Sequence, residues 1–145
     1  MNDELIKAMK IAFSSEFSYY LKAHFFHWNV EGPDFSQYHK LFGKIYEEVQ
    51  ESIDDFAENI RKLGAYTPGS YTRFSVLSLI EDEIKVPPKD IMVAELLRDG
   101  EIMVDLLRKV FQISEQSGEH GLSDFIAGRM DAHQKHNWML RSSLK

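Results

Sequence analysis

No cysteine occurs among the 145 residues, which excludes disulfides, zinc–thiolate sites and thiol catalysis. No uninterrupted apolar run reaches the roughly 18 residues that a membrane span needs. The opening segment, Met1-Asn2-Asp3-Glu4-Leu5-Ile6-Lys7, lacks the basic start and apolar centre of a signal peptide. A soluble, cytoplasmic protein is therefore expected. Basic side chains are the scarcer sign: 17 Lys and Arg stand against 23 Asp and Glu, for a net charge of −6. Broad nucleic-acid binding depends on basic patches that neutralise phosphates, so it is not expected. Proline is sparse. The four prolines, at 33, 68, 87 and 88, each sit beside a glycine or another proline, where they interrupt helices rather than occupy them. Strand-type alternation is also missing.

Helical periodicity fills the remaining sequence. A first helix carries Leu5, Met9, Ala12, Phe13, Phe17, Tyr20, His24, His27 and Trp28 on roughly one face, and Gly32-Pro33 ends it. Asp34 is placed to cap a second helix, with Gln37 completing a capping box. That helix turns Tyr38, Leu41, Phe42, Ile45, Val49, Ile53, Phe56, Ile60 and Leu63 inward and stops at Gly64. Residues 65–88 read as a long crossover with one short helix near Phe74 to Glu81. A third helix is expected from about Lys89 to Ser117, with Ile91, Ala94, Leu97, Val104, Leu107, Val110 and Phe111 inward, broken by Gly118 and Gly121. A fourth is expected from about Ser123 to Leu144, with Phe125, Ile126, Met130, Trp138 and Met139 apolar. Four long helices, two short joins and one long crossover predict an all-α, ferritin-like four-helix bundle, a single domain over residues 1–145.

Such a bundle commonly holds a di-iron site within one chain, built from two Glu-x-x-His pairs and two further glutamates. No Glu-x-x-His occurs in this sequence: Glu16 is followed at that offset by Tyr19, and Glu58 by Arg61. What remains is a divided set of metal-type side chains. His27 closes the first helix and His39 opens the second, so the join brings both to one end of the bundle. Asp54 and Glu58 lie one turn apart on the second helix and can meet one cation. Asp54 is fifteen residues beyond His39, roughly 22 Å along a straight helix. One chain cannot close that distance, so a shared site requires two copies meeting antiparallel, and two-fold symmetry then makes two equivalent sites.

The run His27-Trp28-Asn29-Val30-x-Gly32-x-x-Phe35-x-x-x-His39, followed by Asp54-x-x-Ala57-Glu58-x-Ile60-Arg61-x-Leu63-Gly64, resembles the Dps family of miniferritins. Pro68-Gly69 with a short helix after it looks like that family's crossover. Glu95-Leu96-Leu97 and Trp138-Met139-Leu140-Arg141 look like its third and fourth helices. The resemblance covers almost the whole chain. It implies a homo-oligomeric shell, a dodecamer built from two-fold dimers. It implies a ferroxidase site at the dimer interface, with His27 and His39 from one chain and Asp54 and Glu58 from the other. Such a shell takes Fe²⁺ and hydrogen peroxide or oxygen, stores Fe³⁺ mineral and limits oxidative damage. Imidazole and carboxylate suit Fe²⁺, and carboxylate stabilises Fe³⁺. Zinc suits the same donors.

One position departs from the family pattern. An acidic ligand is usual four residues after the second histidine; here Gly43 stands there. Two irons per site are still expected, the second held weakly. Water can fill the gap, Glu47 can reach in from one turn further on, or oxidation is impaired and the shell only binds and stores iron. A helical interaction module with no iron role is the remaining alternative.

Near the site, Trp28 is expected as a lid and His24 as either a hydrogen-bonding neighbour or a packed side chain. His133 and His136 share a helix face, as an extra surface metal site or as interface packing. Glu119 and Asp124 match acids that line pores in the family, or are simply acids at a helix N-terminus, where they are favourable anyway. Residues Met1 to Lys10 set Lys7 and Lys10 against Asp3 and Glu4. They are not the lysine-rich tail that many members use for DNA, so DNA binding is not expected.

Overall fold

The computed structural model describes residues 2–145; Met1, the first residue of the neutral N-terminal segment, lies outside the described residues. Five helices follow in order: α1 Asp3–Asn29, α2 Phe35–Lys62, α3 Tyr71–Leu77, α4 Lys89–Gln116 and α5 His120–Ser143. No strand occurs among the described residues. α1 pairs with α2, α4 with α5, and α1 packs on α4, while α3 lies against α1. The short joins make each pair antiparallel, and the crossover carrying α3 links the two pairs.

Local chemistry sets most helix ends. Asn2 caps α1, its side-chain oxygen accepting from Leu5 N–H at 3.1 Å, and Asp3 and Glu4 sit in the first turn where the dipole favours acids. α2 and α4 end the same way. Gly64 (φ +90°) and Gly118 (φ +75°) take the left-handed position that L side chains resist. Gly64 N–H then returns to Arg61 O at 2.9 Å and Ala65 N–H to Ile60 O at 3.4 Å. Around Gly118 the matching bonds run from Gly118 to Glu115 and from Glu119 to Ser114. This is the Schellman arrangement, which satisfies carbonyls the helix leaves free.

Several expectations need correction. Asp34 makes no capping box; it adopts φ +64° with no side-chain cap bond. A capping side chain works from extended backbone, and the tight Gly32–Asp34 turn does not provide it. The crossover helix begins three residues earlier than expected, because Ser70 caps it by accepting from Arg73 N–H. Gly121 does not break the chain but lies in the first turn of α5. Ile91, Ala94 and Trp138 are exposed. On α4 the buried stripe runs through Met92, Val93, Leu96, Met103 and Leu107 instead; at about 100° per residue, Ile91 and Ala94 fall outside it.

The largest correction concerns α1. Its first half buries Leu5, Met9, Ala12 and Phe13 as expected, but its second half buries Tyr19, Ala23 and Phe26. The aromatic and histidine edge containing Tyr20, His24 and His27 is half-buried, and Trp28 is 59% exposed. α2 follows its expected pattern, with Phe42, Ile45, Val49, Phe56 and Ile60 at 0% exposure. The crossover is pinned to α1 by Phe74 stacking on Phe17 (centroids 4.5 Å apart) and by Leu79 N–H donating to the Ser15 hydroxyl at 2.9 Å.

Candidate metal centre

The turn between α1 and α2 places His27, in the last turn of one helix, against His39, near the start of the next. The two rings stack with centroids 3.8 Å apart and planes 16° from parallel. Each is tied to the other's backbone: His27 Nδ1 meets His39 O at 2.7 Å, and His39 Nδ1 meets His27 O at 2.7 Å. A carbonyl only accepts, so both Nδ1 atoms carry the proton and donate. Each Nε2 is then left as the lone-pair nitrogen, the form in which imidazole binds a metal. A backbone carbonyl holding the other ring nitrogen is the usual way a ligating histidine is oriented. Phe35 covers the outer face of His39, with centroids 5.1 Å apart.

Gly43 lies under this pair. A Cβ at that position would come 3.1 Å from His27 Cε1 and 3.2 Å from Nδ1. The residue read as a lost ligand is therefore also the space in which the His27 ring sits.

A second group of rings adjoins His27. His24 stacks on Tyr46 at 3.7 Å and 8°, and its centroid lies 4.0 Å from that of Trp28. Its Nδ1 is 3.0 Å from Tyr20 Oη, which in turn accepts from the Gln50 amide at 3.2 Å. Partial burial and His27 lower the His24 pKa, against an opposing pull from the Glu47 carboxylate. Glu47 is exposed and Trp28 is an exposed flap beside His24, not a packed lid within its own chain.

Asp54 and Glu58 occupy one exposed face of α2, a turn apart. Among the described residues, no three His, Asp or Glu side chains within the chain are arranged to hold a metal ion. The histidine pair is thus assembled and the acidic pair stands elsewhere on α2. Glu58 also borders a cavity of about 460 Å³ whose lining includes Asp55, Lys62, Glu119 and Leu122. Glu119 reaches that cavity. Asp124 is exposed on the first turns of α5 and is not part of the lining.

The sequence reading missed a buried polar cluster inside the bundle. His133 and His136 are neither at the surface nor left for an interface; both are buried within their own subunit. His133 Nε2 lies 2.5 Å from Glu16 Oε1, and His136 Nε2 lies 2.9 Å from Glu48 Oε1. Arg129 sits between the two carboxylates, 2.5 and 3.2 Å from the Glu48 oxygens and 3.4 Å from Glu16 Oε2. Burial pushes the Glu16 carboxyl up, but His133 and Arg129 outweigh it and hold the pKa below the ordinary value. Glu48 is likewise raised by burial and brought down to about 2 by its bonds to His136 and Arg129. A separate buried pair joins Lys22 Nζ to Asp99 Oδ2 at 2.7 Å. The signal was available: Arg129, His133 and His136 follow i, i+4, i+7 spacing on one helix face.

Comparison with known proteins agrees with this architecture. A family model for the ferritin-like domain matches residues 6–145. An uncharacterized low temperature-induced protein of Nostoc sp. is 37% identical over 83% of this chain and 68% of its own length. DNA protection during starvation protein 2 of Bacillus anthracis is 30% identical over 99% of both chains. The crystal structure of Dps from Staphylococcus aureus superposes with a TM-score of 0.94 at 28% identity, covering 99% of this chain and 97% of that one.

Proposed function

Since the chain belongs to the ferritin-like family, and within it to the Dps family, we propose that it oxidises and stores iron in a shell whose reaction sites form between subunits. Membership supports iron oxidation and storage as the general activity. The observation that carries the finer reading is the reciprocal His27–His39 bonding, which leaves two Nε2 atoms free on one protomer. The exposed Asp54 and Glu58 of a two-fold partner complete the donor set. The shell is a dodecamer of such dimers, with no useful DNA affinity at physiological salt given a charge of −6 per chain.

In this reading Fe²⁺ is the substrate, and hydrogen peroxide or oxygen takes its electrons. His27 and His39 hold one iron in a fixed orientation. Asp54 and Glu58 bridge to it and stabilise the ferric product. The second iron is held more weakly, with water or Glu47 in place of the absent carboxylate at position 43. Trp28 and His24 cover the site once the partner subunit is against them. Zn²⁺ competes for the same donors.

The test is anaerobic addition of Fe²⁺ followed by peroxide, read as ferric absorbance. The wild-type protein should exceed a protein-free control, and His27→Ala/Glu58→Ala should lose about a hundredfold or more, the usual cost of removing groups that act together in a site. Equal rates in wild type and variant would discard the assignment.

Gly43 gives a second prediction. A Cβ there crowds a ring already held on two sides. Gly43→Ala should therefore slow oxidation about tenfold, since displacements well under 1 Å already matter at a reacting site. Gly43→Asp carries the same Cβ and should not exceed wild type. A faster Gly43→Asp enzyme would instead make the missing carboxylate the limiting defect, and the native protein chiefly a storage shell.

A further inference from the structure

The interior of the bundle repeats the layout of a metal site but contains a side-chain cation. Ferritin-like di-iron proteins bring carboxylates and histidines inward from all four long helices. Here Glu16 comes from α1, Glu48 from α2, and His133 and His136 from α5; both carboxylates bond Arg129, and each also bonds one of the two histidines. Glu16 and His133 are 0% exposed, and Arg129 is 4% exposed. α4 contributes Asp99, again neutralised by a side chain of the same molecule, Lys22. An isolated charge at such depth costs several kcal/mol, so the buried Glu16 and Asp99 each demand a cation, whereas Glu48 keeps 38% of its side chain exposed.

Two further observations show that the cluster's own hydrogen bonds do not complete it. His133 and His136 spend Nε2 on the carboxylates, and each is left with an Nδ1 that has no hydrogen-bond partner. The Tyr19 hydroxyl, whose ring packs edge-on to His133 at 4.8 Å, is buried without a partner as well. Hydrogen bonding alone leaves these groups unsatisfied, although buried polar groups are normally paired. Two imidazoles and two carboxylates are the donor types of a four-coordinate Zn²⁺ or Co²⁺ centre, but with Arg129 in place no three of them are arranged to hold an ion.

We propose that Arg129 occupies a latent divalent-metal site formed by Glu16, Glu48, His133 and His136, and so keeps metal out of the subunit interior. The guanidinium supplies the positive charge that an ion would supply. Its planar fork meets Glu48 through two nitrogens, a geometry that lysine's single ammonium does not reproduce. When the guanidinium is removed, a divalent ion takes its place: each imidazole proton moves from Nε2 to Nδ1, and both Nε2 lone pairs turn to the metal. The proposal concerns residues separate from the intersubunit centre and stands or falls independently of it.

The experiment uses the full-length protein in a His27→Ala/His39→Ala/Asp54→Ala/Glu58→Ala background, which removes the intersubunit donors, with Co²⁺ as the probe. Arg129→Ala should bind about one Co²⁺ per chain with the strong visible bands of four-coordinate cobalt. The background protein and its Arg129→Lys version should show none. Adding Glu16→Gln to Arg129→Ala should abolish the bands. Folded Arg129→Ala without cobalt bands overturns the proposal. So do bands in the Arg129-containing background, or bands that survive Glu16→Gln. If Arg129→Ala does not fold metal-free, helical circular dichroism is recorded with and without Zn²⁺. Zinc-dependent recovery supports the site, and failure to fold with zinc refutes it.

Discussion

Co-expressing a His27→Ala/His39→Ala chain with an Asp54→Ala/Glu58→Ala chain should restore about a quarter of the wild-type iron-oxidation rate, although neither chain is active alone. The fraction follows from symmetry. Random pairing makes half of all two-fold dimers mixed. In a mixed dimer one interface joins a mutated histidine pair to a mutated acidic pair and is dead. The other joins an intact histidine pair to an intact acidic pair. Half the dimers therefore keep half their sites. A centre contained within one chain has no such route, because every chain lacks half of it. The absence, among the described residues, of any three donors positioned for a metal is what motivates the experiment. A co-expressed rate no higher than the two variants measured separately would place the chemistry elsewhere.

Asp99→Ala should lower unfolding stability by about 3–5 kcal/mol, because it leaves the Lys22 ammonium buried without its partner. The pair is 2.7 Å apart, with side chains 4% and 1% exposed. Arg98 also approaches Asp99, at 3.5 Å, but from an exposed position. Replacing both members with apolar side chains, as in Lys22→Met/Asp99→Leu, should recover most of the loss, since the desolvation of both charges is then avoided. Guanidinium unfolding at fixed protein concentration is the appropriate measurement, as assembly adds its own mass-action stabilisation. A double variant no better than Asp99→Ala would mean that the pair is net stabilising.

The helices were legible because Gly32, Gly64 and Gly118 and the proline clusters mark their ends, and because α2 has a strongly one-sided pattern. The joining of His27 to His39 was legible for the same reason: a short turn leaves little freedom in where two flanking side chains go. The face of α1 was not. Ser15, Glu16 and Lys22 look solvated by composition, yet they are buried, each paired with a residue far along the chain. Glu16 meets Arg129 and His133, and Lys22 meets Asp99. Periodicity ranks side chains by polarity and cannot see partners 64 to 117 positions away. The same limit hid the polar interior, and it made Trp138 and Ile91 look like core residues. Gly43 was legible only as an absence; its second role, as the space beneath His27, needed atomic positions.

The mutual bonding of His27 and His39 also sets an order of events in the life of the protein. The two bonds span the join between α1 and α2, so the histidine half of the proposed centre exists as soon as that helical hairpin forms. Folding supplies the nitrogen donors already oriented, and little ordering remains to oppose metal capture. Under the proposed function, the oxygen donors arrive only when a second subunit docks. A newly made chain would then have a weak hold on iron and none of the acidity that stabilises the ferric state. On that reading the reaction is withheld until a container for its product has been built.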